Sequence, residues 1–506
     1  MPLRESYEDV AYPSYALPQT HPDRLATLAA LFGMNPAPVE RCRVLELGCG
    51  DGGNLIPMAY GLPGSQLVGL DAAERPILKA QAAARELGLS NVQFRQQDIR
   101  EAPACLGQFD YIIAYGLYSW VPPPVRDKLL AIAQASLAPD GVALVSYNAH
   151  PGGHLRAMIR EMMMFHIRNL DQPEDQISQG RALLELLASA QPERDPYGMF
   201  LKKELERQLE RQDAFLYHDE LAETFFPVYF HEFVEHAARH GFQYLAEADF
   251  ADMHPTGAYS PAATELLETL SGEPVLREQY LDFLKCRKFR QTLLCHREVQ
   301  LDRALKPEQI GRFSVASPLK SVSAAPEIRS ESPEEFRGPE ATGLVTPHPV
   351  AKAALVHLSQ AWPRSLGFDE LLGRIRASLG PTASPEDQPA TQQARALGEI
   401  LLRVCAAGLA ELHVHRFEFA GEAGERPAAS PVARLQVRSD SRIATLRHTT
   451  VRVEDALAQQ LLLLLDGTRD RAALRAELTA SASRDVGAEE LEAALEKLAR
   501  FALLVA

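Results

Sequence analysis

The chain has 506 residues, enough for two to four domains, and its 46% hydrophobic against 24% charged residues excludes a disordered or fibrous protein. A formal charge of −15 argues against a nucleic-acid partner, whose phosphates need cationic side chains, and suits a partner with exposed lysines. No apolar run is long enough to cross a bilayer and the start lacks a signal-peptide core, so no membrane role and a cytoplasmic location are expected. Cys42, Cys49, Cys105, Cys286, Cys295 and Cys405 are scattered without a C-x-x-C pair, which reads as reduced thiols rather than disulfide or metal ligands.

Tyr7 and Tyr12 precede the first domain and are placed either to fold over a ligand or to act as a tether. Residues 43–47, Arg-Val-Leu-Glu-Leu, are an apolar run suited to a buried parallel strand. Gly48-Cys49-Gly50-Asp51-Gly52-Gly53-Asn54 then reads as a cofactor loop opening a helix over 54–60, because glycines let the backbone approach a ligand with no Cβ in the way. Two cofactors compete for it. Gly48, Gly50 and Gly53 have the G-x-G-x-x-G spacing of a dinucleotide site, with Asp71 about twenty residues further on. Glu46 points elsewhere: a carboxylate beside a pyrophosphate is unfavourable, whereas S-adenosyl-L-methionine offers a positive amino group and sulfonium.

The following elements agree with the second cofactor. A strand over 66–71 ends in Asp71, which is placed to hold both ribose hydroxyls. A third strand over 92–99 carries Asp98, placed to accept from the adenine amino group. A fourth covers 109–116, and Leu-Ala-Pro-Asp-Gly at 137–141 precedes a fifth over 142–147. This ordered set resembles the class I S-adenosylmethionine-dependent methyltransferases. The resemblance implies an α/β fold with a Rossmann-like seven-stranded sheet. It also implies cofactor contacts from Tyr12, Glu46, Gly48, Cys49, Gly50, Asn54, Asp71, Ala72, Asp98, Ile99 and Tyr115.

Five strands leave two to find. Residues 230–241 have the spacing of an amphipathic helix with a glycine stop, and 242–248 and 289–296 supply the sixth and seventh strands, closing the sheet near residue 300. The chain is thus divided into 1–150, the first part of the cofactor domain; 151–228, a helical insertion with helices over 155–169, 175–190 and 198–216; and 229–300, which completes the sheet. The insertion leaves the carboxyl end of the fifth strand, where ligands bind in such sheets, and is expected to form a lid or a homodimer surface. Residues 301–346, rich in Pro, Ser and Glu, read as a linker. In 347–430, three helices (350–362, 368–379, 391–407) precede an alternating run, and 431–506 repeats three helices (453–465, 468–479, 488–501). Both read as winged-helix-like domains, and their third helices are not strongly basic, which favours a protein-contact or structural role over DNA.

The segments Tyr12–Leu25, Tyr115-Gly116-Leu117-Tyr118-Ser119-Trp120-Val121-Pro122, Ser146–Gly152, Phe230-His231-Glu232-Phe233 and Gln279–Leu294 resemble one bacterial branch, in which a class I methyltransferase is joined to a methyltransferase regulatory domain. The branch includes rickettsial protein-lysine methyltransferases of similar layout. Two positions depart from the pattern, which has a histidine at Tyr115 and a tryptophan at Gly153.

Methyl transfer from a sulfonium is an in-line displacement that depends on positioning and exclusion of water. An acceptor lysine must be neutral, which an apolar aromatic slot favours by desolvation. Tyr118 and Trp120 after the fourth strand and Tyr147 at the end of the fifth are the candidates to shape that slot, with packing under the insertion as the alternative. His150 is a candidate base. His150, His154 and His166 lack an accompanying carboxylate cluster, so no metal is expected in this protein. The leading expectation is a protein-lysine N-methyltransferase. A small-molecule O- or N-methyltransferase using His150 is the alternative, and a non-catalytic cofactor-sensing regulator is a third reading.

Overall fold

The computed structural model describes residues 10, 12–192, 194–255, 259–339, 342–380, 390–482 and 484–506; Tyr7 lies outside them. Its central feature is a seven-stranded sheet built from β1 (Arg43–Leu47), β2 (Gln66–Asp71), β3 (Val92–Gln96), β4 (Phe109–Ala114), β5 (Leu137–Asn148), β6 (Phe242–Glu247) and β7 (Phe289–His296). The order is β3-β2-β1-β4-β5-β7-β6. The first five strands pair in parallel, while β7 runs antiparallel to both β5 and β6. This is the sheet expected, with β5 starting at Leu137 rather than at residue 142. The inner strands are near-continuous apolar runs because helices cover both faces.

Those helices are α1 (Pro22–Leu31), α2 (Leu55–Gly61), α3 (Glu74–Glu86) and α4 (Pro123–Ser136), followed in the insertion by α5 (Gly152–Ile167), α6 (Pro173–Ser189) and α7 (Pro196–Leu209). The chain returns through α8 (Phe230–Arg239), α9 (Pro261–Thr269) and α10 (Pro274–Lys285) to β7. The insertion has a small core of its own, centred on Ile159, Met163, Leu184, Leu201 and Leu216. β7 is held by Arg290, which is fully buried and ion-paired to Glu247 at 2.6 Å and to Asp282 at 2.8 Å. A lone buried guanidinium would be too costly, so the acids on β6 and α10 are a requirement of placing it there.

The stretch 301–346 departs from its reading as a linker. Strands β8 (Ser314–Ala316), β9 (Lys320–Ser321), β10 (Glu334–Arg337) and β11 (Gly343–Thr346) lie within it. β8 is the central strand of a sheet with β12 (Leu366–Gly367) and β13 (Glu411–His413), while β9, β10 and β11 form another. Phe313, Val315, Leu319 and Phe336 are buried. Strands of two to four residues are too short to display a period of two, and the Pro- and Ser-rich turns between them dominate the composition.

Helices α11 (Pro349–Ala361), α12 (Phe368–Leu379) and α13 (Ala390–Ala406) complete the middle region. Its apolar residues join α1 and one face of the seven-stranded sheet in one continuous core. The last part has a separate core, built from α14 (Pro431–Gln436), the hairpin β14 (Arg442–Ala444) and β15 (Thr450–Arg452), α15 (Ala456–Leu464), α16 (Arg471–Ala482) and α17 (Ala488–Arg500). Among the described residues no helix is long and apolar enough to cross a membrane.

Candidate functional site

The loop between β1 and α2 turns through Gly48 and Gly50, both at positive φ (+79° and +53°), a backbone region that favours glycine. The amides of Gly48 and Cys49 donate to Leu70 O at 2.8 and 3.1 Å, which ties the loop to the end of β2. Asp71 closes the turn: Oδ2 accepts from Gly50 N and Oδ1 from Ala73 N, each at 2.9 Å. Ala72, half-buried, sits between these contacts, and its carbonyl accepts from Gln96 Nε2 at 3.3 Å.

Glu46 and Asn54 face each other inside this loop. Asn54 Nδ2 donates to Glu46 Oε1 at 2.8 Å, whereas Glu46 Oε2 is buried and has no partner among the described residues. Burial pushes the Glu46 carboxyl up to about 7, opposed by the Asn54 hydrogen bond and reinforced by the nearby Asp71 charge. A buried, half-satisfied carboxyl with a second acid beside it suits a cationic ligand and would repel a pyrophosphate. The residues therefore fit the sulfonium cofactor better than the dinucleotide allowed by the glycine spacing. At the tip of β3, Asp98 caps a short turn that buries Ile99, and Arg100 grips its carboxylate at 2.6 Å.

The N-terminal segment lies directly across this loop. Gly53 N donates to Ser14 Oγ at 2.8 Å, and the Ser14 hydroxyl donates to Asp51, which also pairs with Lys79 at 2.5 Å. A Cβ on Gly53 would stand 2.0 Å from Ser14 O, so only glycine permits this crossing. The same segment brings Tyr12 to the end of the insertion, edge-on to Phe215 at 5.1 Å and with its hydroxyl 3.4 Å from Asp219 Oδ1. Tyr115, leaving β4, is half-buried and edge-on to Phe289. Burial and the Asp219 charge raise its phenol to about 12. Tyr12 and Tyr115 thus converge near Asp219, beside the ends of β4 and β5.

The slot assigned to Tyr118, Trp120 and Tyr147 is corrected. Tyr118 and Tyr147 are 2% and 1% exposed and belong to the core beneath the sheet, packed on Phe233 of α8. Their hydroxyls are engaged there, 2.8 Å from His236 Nδ1 and 3.0 Å from Thr292 Oγ1. Side chains alternate along a strand, so Ser146 and Asn148 take the face opposite to Tyr147. Trp120 packs on Phe225 at 5.4 Å, with the Arg156 and Arg160 guanidinium groups 5.4 and 5.6 Å from its ring. That is the alternative of packing under the insertion. His150 stacks on His154 at 3.7 Å and lies beside Tyr229, and its Nδ1 is buried without a partner among the described residues. Burial lowers its pKa, and His154 lowers it further. A Cβ on Gly153 would meet Pro227 at 2.8 Å and His150 Nδ1 at 3.2 Å, so a tryptophan at Gly153 would require both to move.

Several site residues left no signal that the sequence reading used. Arg156 donates to Asn148 Oδ1 at 2.6 Å and pairs with Glu220 at 3.1 Å, and Glu220 also holds Arg207 and Arg211. Arg156 and Arg160 at helical spacing, with the Asp219-Glu220 pair, were the available hint. From the far end of the chain, His448 Nε2 donates to Asn54 Oδ1 at 2.9 Å, the atom that also accepts from Leu17 N at 3.2 Å.

Known proteins share both the parts and the whole. Residues 44–141 match the model of a methyltransferase domain, 212–296 a predicted methyltransferase regulatory domain, and 425–488 the "PKMT, C-terminal winged helix domain". An uncharacterized protein of Rickettsia prowazekii is 36% identical over 384 residues, 74% of this chain and 69% of its own length. Another from the same organism is 36% identical over 241 residues, 47% of this chain and 96% of its own. The structure of PKMT2 from Rickettsia typhi in complex with AdoHcy superposes with a TM-score of 0.88 at 26% identity, covering 98% of this chain and 100% of that one.

Proposed function

Because this chain belongs to the class I S-adenosylmethionine-dependent methyltransferases that carry a methyltransferase regulatory domain and a PKMT winged-helix domain, we propose that the acceptor of its methyl group is a lysine amine on a protein. The observation that carries this reading is the likeness to PKMT2 along almost the entire chain, C-terminal domain included. A cofactor fold alone would be shared with methyltransferases of many acceptors. The acidic balance of the chain agrees with a lysine-bearing partner.

The bound cofactor supplies an electrophilic methyl on a sulfonium. Glu46 and Asp71 are assigned its positive amino group and its ribose hydroxyls, Asp98 the adenine amino group, and the loop around Cys49 the close backbone contact. On the acceptor side, Tyr12 and Tyr115 replace Tyr118 and Tyr147 as the aromatic residues beside the incoming amine. Their faces attract an ammonium group, while burial beneath the insertion favours the neutral amine needed for attack. Asp219 accepts from the lysine as it enters, and Arg156 and Arg211 offset its charge. Holding two reactants in line and dry is the main work of such a site, and His150 is not needed as a base.

The test is incubation of the full chain with methyl-labelled S-adenosylmethionine and a lysate of its source cells. Label in a protein band, traced to lysine by mass spectrometry, is the expected result. Label confined to small molecules overturns the lysine reading and moves attention to His150.

A further inference from the structure

We propose that Asp127, His236 and His240 form a binding site for a borderline divalent cation of the Zn2+ class, set between α4 and α8. Asp127 Oδ1 lies 2.8 Å from His236 Nε2 and 3.3 Å from His240 Nε2, and the three candidate ligand atoms all fall within 4.8 Å of one another. Two imidazoles four residues apart, His236 on α8 and His240 at its C-cap, with a carboxylate from α4, make an N2O donor set with room for water. That composition suits Zn2+, Co2+ or Ni2+ better than Mg2+ or Ca2+, which prefer oxygen ligands.

The second observation is the partner of the far ring nitrogen. His236 Nδ1 is 2.8 Å from the hydroxyl of buried Tyr118. Once Nε2 binds a cation, Nδ1 carries the proton and donates it to the phenol oxygen, the outer-shell bond that usually orients a metal-bound histidine. Without a cation, each Nε2–H donates to the one carboxylate oxygen. The carboxylate is open to solvent, which provides an entry path. Arg239 sets a positive charge against His236, which opposes a cation, so the two nitrogen donors and the Asp127 carboxylate must outweigh it.

The position gives such a cation a consequence. Asp127 lies in the segment matched to the methyltransferase domain, and His236 and His240 in the regulatory segment. A bound ion clamps one to the other and, through Tyr118, stiffens the chain between β4 and Trp120.

Tag-free full-length protein, stripped with a chelator, is titrated with Co2+ as a spectroscopic probe and then with Zn2+. One equivalent of Co2+, with visible bands of a low-coordinate nitrogen and oxygen site, displacement by Zn2+ and a higher Tm are expected. Asp127→Asn and His240→Gln change partly exposed side chains, and each should abolish that binding while circular dichroism is retained. Tyr118→Phe should weaken it about 10- to 100-fold. No Co2+ uptake by the parent protein, equal uptake by Asp127→Asn and His240→Gln, or a thiolate-to-cobalt band pointing to cysteine would each overturn the site.

Discussion

The Glu46 carboxyl carries the sharpest expectation at the scale of single residues. Its pKa near 7 arises from burial, so in the free protein it is about half protonated at neutral pH. A cationic ligand binds the ionised form, and binding must then drive a proton off. Cofactor affinity should therefore rise with pH up to about 7 and fall by up to roughly tenfold per pH unit below it. Calorimetry in buffers of different ionisation heat should detect the released proton. Glu46→Gln should bind more weakly and lose both the proton release and the slope. A slope that survives the substitution assigns the titration to another group. Asp71 requires a gentler probe than alanine, because its two oxygens hold the amides of Gly50 and Ala73. Asp71→Asn keeps one acceptor in place, so a loss of cofactor binding with an unchanged Tm would separate its ribose role from its loop role. The gathering of Glu46, Asp71 and the glycines at one loop was legible because they are contiguous with strands whose apolar runs are plain. Tyr118 and Tyr147 were misplaced because leaving the right end of a strand does not say which face a side chain takes, and Tyr147 takes the face turned to Phe233.

Among the elements, the insertion is tied by an ionic knot as well as by its small apolar core. Glu220 is fully buried, and Arg156, Arg207 and Arg211 hold its pKa down to about 2 against the opposing effect of burial. A carboxylate depressed in the folded state contributes stability that is complete above its unfolded pKa, near 4.5, and is lost as pH falls towards 2. The insertion should loosen over that window, visible as faster amide exchange in α5 and α7 before the sheet yields. Glu220→Gln should lower the Tm at neutral pH and flatten this acid response. It leaves three guanidinium groups short of a charge, which typically costs about 3–5 kcal/mol for a buried network. An unchanged acid profile would show that the knot is not what holds the helices. Sequence periodicity found α5, α6 and α7 because each spans several turns. It passed over β8 to β11 because pairing, not pattern, makes strands of two to four residues.

Across the whole molecule, the C-terminal domain reaches the cofactor loop. His448 sits at positive φ in the turn between β14 and β15 and donates to Asn54, whose other end holds Glu46. Burial drives its pKa down to about 3, so it is a neutral donor at any working pH. The N-terminal segment is caught in the same junction: Thr450 donates to Ala16 O, His21 packs 4.9 Å from the His448 ring, and Ser14 crosses Gly53. The last helix of the domain, α17, is acidic along its length, with Glu489, Glu490, Glu492 and Glu496 against Lys497 and Arg500. Nothing local marks His448 in the sequence, because its partner is 394 residues away. If the domain orders the loop, His448→Ala should weaken cofactor binding by roughly tenfold, the worth of one buried hydrogen bond. His448→Gln, which keeps a donor, should recover part of the loss. The comparison must be read in calorimetry beside a melting curve, since a domain that merely covers the loop would lose stability in His448→Ala while leaving the affinity where it was. Weakened affinity at an unchanged Tm would instead make the winged-helix domain part of the cofactor site, and would explain why it is docked against the loop.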